Sequence, residues 1–419
     1  MSNTLESTDS NQQISSYRWV ILGIAWLSFF SMAMAWYVMP TLEHKLVELY
    51  QLSSSQYSTA LTVPFLIGGV LAIGGGMLAD RLGIRKAASL GIIISGLGIL
   101  GRSQVGGFIS LLTPMMVVGI GLGLVMPNLP KLVSVWFPPE ETGLATGIYN
   151  TALMGGMSTG LVIAPFLPSW FVGNIILGTI IVVLGIIFFA IVKDSPPGKE
   201  LPSSSLLEGI STAIKSRSVW SAACAVFLGL AGMVSVQGSL PAALNKVYGL
   251  PMATGGRVAS LISYFGIIGS LTFPAWANKL DKRKSFLVVL VIGFPVLMFL
   301  TWILGGNPII LWVGTALAGY IAGGSLPMFM EVPAFLPHIE DDPIKSQHVG
   351  GASGLLTSLM NIGGFIGLPF IVMPVISSFG YTKGFMVALL IFSAQAIFAL
   401  RITFPRAKEN EFEDKAESV

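Results

Sequence analysis

Lys131 and Glu331 are the charged residues that fall within long apolar stretches rather than at their ends. An uncompensated ion in hydrocarbon costs several kcal/mol, so an ammonium and a carboxylate at such positions invite three readings. They can close a gate by pairing, contact a solute or a proton, or snorkel to a nearby interface. Each stands about six residues, roughly 9 Å along a helix, from the Phe137-Pro138 or Leu336-Pro337 that ends its segment. A second set is neutral: Trp36, Tyr149, Asn150, Gln237, Tyr264 and Asn361, with Asn128 nearer the inner side, interrupt apolar runs. A cavity for a small solute needs a few such groups among apolar walls, although each alone could equally make an interhelical hydrogen bond of about 0.6 kcal/mol. Trp19, Trp170 and Trp220 lie at run ends and read as interface anchors. His44, His338 and His348 sit at or near loops, and no Ser/His/Asp set, metal-ligand spacing or Gly-Lys-Ser/Thr phosphate loop occurs. The chain is therefore expected to be no enzyme, to use no metal or cofactor, and to carry no ATP-driven motor of its own. Cys224 is the single cysteine, which excludes an internal disulfide.

Composition dictates the elements that must position these groups. Of 419 residues, 53% are hydrophobic and 10% charged, against roughly 25% charged in a soluble domain, and the mean hydropathy is +0.79. That apolar surface exceeds what a water-exposed globule can bury, so the solvent must be a bilayer. The net charge of +3 comes without a basic stripe interleaved with aromatics, which removes nucleic acid as a partner. The first sixteen residues are polar and lack the basic-then-apolar pattern of a cleaved signal, so the first apolar segment is expected to be structural.

Ten charge-free runs divide the chain, and two of them hold two spans each, turning at Leu167-Pro168-Ser169 and at Gly305-Gly306-Asn307-Pro308. Twelve transmembrane helices result, since a span needs about 20 residues. The third is shortest, and Lys86 and Arg102 are expected to snorkel from its ends. With the N-terminus inside, seventeen of the 23 Lys and Arg fall on the cytoplasmic side and five outside. Both termini are then cytoplasmic by the positive-inside rule.

The eight residues from Ala79 to Lys86 recur as Ala277 to Lys284 at an offset of 198, and Pro127 and Lys131 align with Pro327 and Glu331 at 200. Trp36 aligns with Gln237, and Pro40 with Pro241, at 201. An offset that spans six helices means two parallel halves related by an axis along the membrane normal. The fold class is thus an all-α membrane protein, twelve transmembrane helices in two pseudo-symmetric six-helix bundles. Its parts are a cytoplasmic tail (1–17), an N-terminal half (18–193), a cytoplasmic linker (194–217), a C-terminal half (218–404) and a second cytoplasmic tail (405–419). Leu206, Leu207, Ile210 and Ile214 have the spacing of a short helix on the inner membrane surface. Glycines at i, i+4 (119/123, 143/147, 156/160, 319/323, 350/354 and 363/367) are expected to form close packing and sliding surfaces.

Gly76-Met77-Leu78-Ala79-Asp80-Arg81-Leu82-Gly83-Ile84-Arg85-Lys86 fits, at each defining position, the loop motif between helices 2 and 3 of the major facilitator superfamily. With the degraded copy at 277–284, the whole chain resembles a member of that family of secondary transporters. The resemblance implies alternating access and a switch in which Gly76, Asp80, Arg81, Gly83, Arg85 and Lys86 lock the cytoplasmic side in one state. Asp80 would sit at the negative end of its helix dipole, with Arg81, Arg85 and Lys86 expected to compensate it. Two departures weaken drug-proton antiport: no arginine stands around Met115 to Gly119 in helix 4, and helix 5 ends in Ala164-Pro165-Phe166 without the Gly-Pro-x-x-Gly pattern. Asn128 to Phe137, Leu326 to Glu331 and Ala352 to Leu356 are similar to eukaryotic haem and choline transporters of the feline leukaemia virus receptor type. A chain opening with an Arg18-Trp19 helix also looks like the organic-anion and cyanate or nitrate branches. The expectation is a secondary active or facilitative transporter of a small organic solute, an organic ion first, in the plasma or inner membrane. It would act as a monomer, with its solute and membrane lipid as partners. A drug or metabolite efflux antiporter and a non-transporting sensor are the alternatives. Facilitated diffusion, exchange and proton symport through Glu331 all remain open as modes of coupling.

Overall fold

The computed structural model describes residues 2–196, 206–339, 342–345 and 348–402, and all regular structure among them is helical. The expected tail at 405–419 and the linker stretch 197–205 lie outside the described residues. Two compact units, Met1–Ser203 and Ser204–Val419, divide the chain inside the expected linker.

Ten helices among the described residues are long and apolar enough to cross a bilayer, and Ser54–Leu82 makes an eleventh when its two arms count as one span. The expected fifth helix, Pro139–Ile163, is 25 residues long, about 37 Å at 1.5 Å per residue. It misses that apolar standard because Glu141, Asn150, Thr151 and Ser158 lie along it. The first unit thus holds α1 (Ser16–Leu49), α2 (Ser54–Leu82), α3 (Ile84–Gln104), α4 (Phe108–Trp136), α5 (Pro139–Ile163) and α6 (Trp170–Ile191). The second holds α7 (Arg217–Tyr248), α8 (Met252–Lys279), α9 (Arg283–Ile303), α10 (Pro308–Met330), α11 (Val349–Phe379) and α12 (Tyr381–Ala399).

Local sequence sets the ends of these helices. The Ser53 hydroxyl accepts from the Gln56 N–H at 3.1 Å while Gln56 Oε1 accepts from the Ser53 N–H at 2.9 Å, a reciprocal cap that starts α2. Ser169 and Ser216 hydroxyls accept from Val172 and Val219 N–H at 3.1 and 3.2 Å and start α6 and α7. Gly249, at φ 68°, stops α7. Both expected corners are present: α5 runs out through the turn Ala164–Phe166 before Trp170, and α9 ends at Ile303 before Pro308 opens α10.

Proline interrupts several spans from within. In α1 the helix breaks at Tyr37 and Val38 and resumes as Met39–Leu49. Pro40 has no N–H to offer the Trp36 carbonyl. Arg102, expected to snorkel from α3, is instead 0% exposed and serves that break. Its Nη2 donates to Ala35 O at 2.6 Å and its Nη1 reaches Trp36 O at 3.5 Å. Its Nε donates to Asn174 Oδ1 at 2.8 Å, and its guanidinium lies 4.9 Å from the Trp170 ring centre. In α4 the break precedes Asn128, whose buried amide donates to Leu124 O at 2.6 Å and Gly75 O at 3.3 Å. In α11 the stretch Gly367–Val372, containing Pro369, widens to a π-helix.

The packing repeats as the sequence does. In the first unit α1 packs on α5, α2 on α4 and α3 on α6; in the second α7 packs on α11, α8 on α10 and α9 on α12. Glycine makes the closest contacts. A Cβ at Gly156 or Gly160 would meet the Phe30 or Met34 carbonyl of α1, and one at Gly363 or Gly367 would meet the Phe227 or Ala231 carbonyl of α7. Gly119 and Gly123 pack on Pro64, Ile67 and Leu71, and Gly319 and Gly323 on Ile262 and Gly266. Gly143, Gly350 and Gly354 differ from expectation, since a Cβ there meets open space. The linker helix, Leu206–Ala213, differs as well: its Gly209 backbone touches Gly351 and Ala213 is fully buried, so it docks on α11 rather than on lipid alone. Ile214 beyond it is exposed.

Gly156→Leu, which forces a side chain into the α1 backbone, is expected to lower stability by about 1 to 3 kcal/mol. Gly143→Ala is expected to leave it unchanged, and thermal unfolding of the two variants in detergent checks both.

Candidate functional site

Asp80 occupies the last turn of α2, where exposed carbonyls oppose a carboxylate. Lys131 stands on the Asn128–Trp136 segment of α4, and its Nζ donates to Asp80 Oδ1 at 2.6 Å and to Gly76 O at 2.9 Å. One ammonium therefore neutralises the carboxylate and caps the helix end together. This corrects the expectation that Arg81, Arg85 and Lys86 compensate Asp80. Arg81 and Lys86 are exposed, and Arg85 is committed elsewhere. The Arg85 N–H donates to Asp194 Oδ1 at 2.7 Å, its Nε donates to Phe189 O at 2.6 Å, and its guanidinium lies 4.3 Å from the Phe189 ring centre. Gly83 sits at φ 92° with the Asp194 carboxylate where a Cβ would stand, so glycine is required on two counts. The loop motif is thus tied to α4 by Asp80 and to the end of α6 by Arg85.

Glu331 follows α10 directly and is half-buried. The charged group that acts on it is Arg283, whose guanidinium lies 3.9 Å from the Phe335 ring centre and whose Nε donates to Asn278 Oδ1 at 2.6 Å. Asn278 and Arg283 are the repeat counterparts of Asp80 and Arg85. In the first unit the charge carried by the fourth helix pairs with the loop between the second and third; in the second unit the charge at the equivalent place has the opposite sign and lies in the field of that loop's Arg283. Lys131 and Asp80 belong to one unit, as Glu331 and Arg283 belong to the other.

The neutral candidates divide into buried and exposed groups. Trp36 is 1% exposed, donates from Nε1 to Leu61 O at 2.8 Å, and packs its ring 4.5 Å from that of Phe65. The buried Gln237 amide donates to the Ser263 hydroxyl, and buried Asn361 donates to Thr357 O at 2.8 Å. Tyr149 is buried beside Asn150, while Asn150 and Tyr264 are exposed. Among the candidates the structure brings together Lys131 with Asp80 and Gly76, and Tyr149 with Asn150. Two features escaped the sequence reading. Trp26 stacks on Phe30 at 4.8 Å and donates to Thr151 Oγ1 at 2.9 Å, with the i, i+4 spacing as its available signal. Glu43, read as lying beyond the first span, is 4% exposed on one face of Met39–Leu49 with Met39 and Leu46.

A family model described as the Major Facilitator Superfamily matches residues 21–368. The cyanate transport protein CynX of Escherichia coli (strain K12) is 25% identical over 68% of this chain and 73% of its own length. The nitrite extrusion protein of Bacillus subtilis (strain 168) is 23% identical over 95% of this chain and 98% of its own. The hexuronate transporter of the same bacterium is 23% identical over 78% and 79%. Among solved structures, a bacterial homolog to the human lysosomal transporter Spinster, inward-facing and unoccupied, matches with a TM-score of 0.71 at 16% identity. That match covers 92% of this chain and 95% of the other and is a likeness of fold.

Asp80→Asn is expected to free the Lys131 ammonium. Acylation of Lys131 by an amine-reactive reagent, read by mass spectrometry, should rise clearly. Stability should change by no more than about 1 kcal/mol, because the pair is partly exposed.

Proposed function

This chain belongs to the Major Facilitator Superfamily, and from that premise we propose that it carries a small anion across a cell membrane by alternating access. The observation that supports the transport reading is the Lys131–Asp80 ion pair between the fourth helix and the loop motif, with Glu331 at the repeat-equivalent place where Arg283 acts on it electrostatically. Partly exposed ion pairs contribute about 0 to 1 kcal/mol, so such contacts hold a loop in one arrangement and release it at little cost. Lys131 and Glu331 act in this reading as gate charges, each through the loop of its own half. Asn150 and Tyr264, exposed on their units, and Tyr149 beside Asn150 are the first candidates to meet the solute.

The anion class is supported by relatives named for cyanate, nitrite and hexuronate, which differ in size and share negative charge. The choline-like alternative rests on the similarity at 128–137, 326–331 and 352–356, and the Trp36 ring that could face a quaternary amine is packed against Phe65 with its donor taken. We place the protein in the cell membrane as a monomer with both termini in the cytoplasm, on the seventeen-to-five excess of basic residues.

Purified protein screened with cyanate, nitrite, nitrate, glucuronate and choline should be stabilised by one or more of the anions. A ligand at a hundred times its Kd contributes about 2.7 kcal/mol to the folded state. In proteoliposomes the stabilising anion should exchange across the membrane, and Lys131→Gln and Glu331→Gln should each slow that exchange with little change in melting. Stabilisation by choline alone, or exchange indifferent to both substitutions, would overturn the reading.

A further inference from the structure

The outer segment of α1 holds a titratable group that the gate does not use. Glu43 lies on Met39–Leu49 with 4% exposure, and its Oε2 has no hydrogen-bond partner. The ion pairs among the described residues join Arg18 to Glu141, His44 to Glu48 and Lys131 to Asp80, so none includes it. Around it are the Tyr37 and Tyr57 side chains, both fully buried and both with unpartnered hydroxyls. Tyr57 lies close enough to Glu43, Tyr37 and Arg102 for all three to act on it electrostatically. Each of the three side chains is enclosed and carries an unpartnered oxygen, and Tyr57 feels both of the others. Arg102, the cation that acts on Tyr57, directs its hydrogen bonds at Ala35 O, Trp36 O, Asn174 and the Met115 sulfur. The segment also packs on the last turns of α5 and on Ala164–Phe166, where residues 152–166 carry no titratable side chain. On the segment itself His44, Lys45 and Glu48 are the other charged or titratable groups, and all three face outward.

An ionised carboxylate in such a place costs several kcal/mol, whereas the neutral acid can both donate to and accept from a tyrosine hydroxyl. From this geometry we propose that Glu43 is a proton-binding site and that H⁺ is a co-substrate of the transport cycle, taken up and released at this carboxyl. The proposal rests on the transport reading above. Its mechanical link is the break at Tyr37 and Val38: when the proton leaves, the enclosed carboxylate is paired with no cation and must move toward water. That movement turns Met39–Leu49 about the break at Tyr37 and Val38. Loss of the proton and displacement of α1 are then one event, and Lys131 and Glu331 need not titrate.

The test uses the full-length protein in lipid. Infrared spectra taken across a pH titration should show the carbonyl band of a protonated carboxyl at neutral pH that vanishes as the pH rises. That band should be missing in Glu43→Gln, which keeps the side-chain shape and the melting behaviour. In proteoliposomes, with whichever of cyanate, nitrite, nitrate or glucuronate the wild type exchanges, an imposed pH gradient should drive net uptake. Glu43→Gln should lose that gradient-driven uptake and retain exchange without a gradient, and Tyr57→Phe should shift the pH at which the band disappears. A wild type without such a band, a band that survives Glu43→Gln, or wild-type uptake indifferent to the gradient overturns the proposal. If none of the four anions moves while the band behaves as stated, the anion reading falls and the proton site stands.

Discussion

Hydrocarbon offers a peptide group nothing to bond to, and every feature of this chain follows from that constraint. It makes the long apolar runs helical, and it makes each departure from a regular helix a place where some other donor or acceptor must be supplied. Pro40 leaves the Trp36 carbonyl without its N–H, and a guanidinium from another helix arrives. Pro127 is followed at once by Asn128, whose amide finishes the carbonyls of its own helix and of α2. The breaks are therefore also the places where polar side chains gather, and polar side chains are what a solute path requires.

The same constraint sorts the charges by consequence. Lys131 and Asp80 meet where water still reaches, so their attraction is weak and reversible. Glu43 and Arg102 are enclosed, so any change in their state must be met by movement or by a proton. Duplication by itself predicts halves that treat their charges alike. Here Lys131 and Glu331 occupy equivalent places with opposite sign; Lys131 pairs with the loop of its own half, and Glu331 lies in the field of Arg283 in the other.

Much of this was legible in the sequence. Spans, corners, the repeat and the loop motif rest on local signals: charge-free length, Gly and Pro, and a fixed offset. The partner of Asp80 was not legible, because Lys131 lies 51 residues away and nearer arginines seemed sufficient. Glu43 and Arg102 were misplaced for a single reason. Treating each charge as the edge of the membrane assumes that charges cannot enter, whereas a protein interior with carbonyls and hydroxyls to offer admits them. Gly143, Gly350 and Gly354 show the opposite limit, since i, i+4 spacing states that close approach is permitted and says nothing of whether a neighbour comes.

The Arg102 contacts also bear on how the chain is assembled. Proteins are synthesised N-terminus first, and Ala35 precedes its guanidinium donor by 67 residues. When α1 first enters the bilayer, Pro40 already leaves the Trp36 carbonyl without a helical donor, and no donor from another helix has yet arrived. The bend becomes affordable once α3 has been inserted and has delivered Arg102. The angle of the first span is thus set during biogenesis by the third, and a truncation that ends before residue 102 should leave α1 in a different shape from the one it holds in the finished protein.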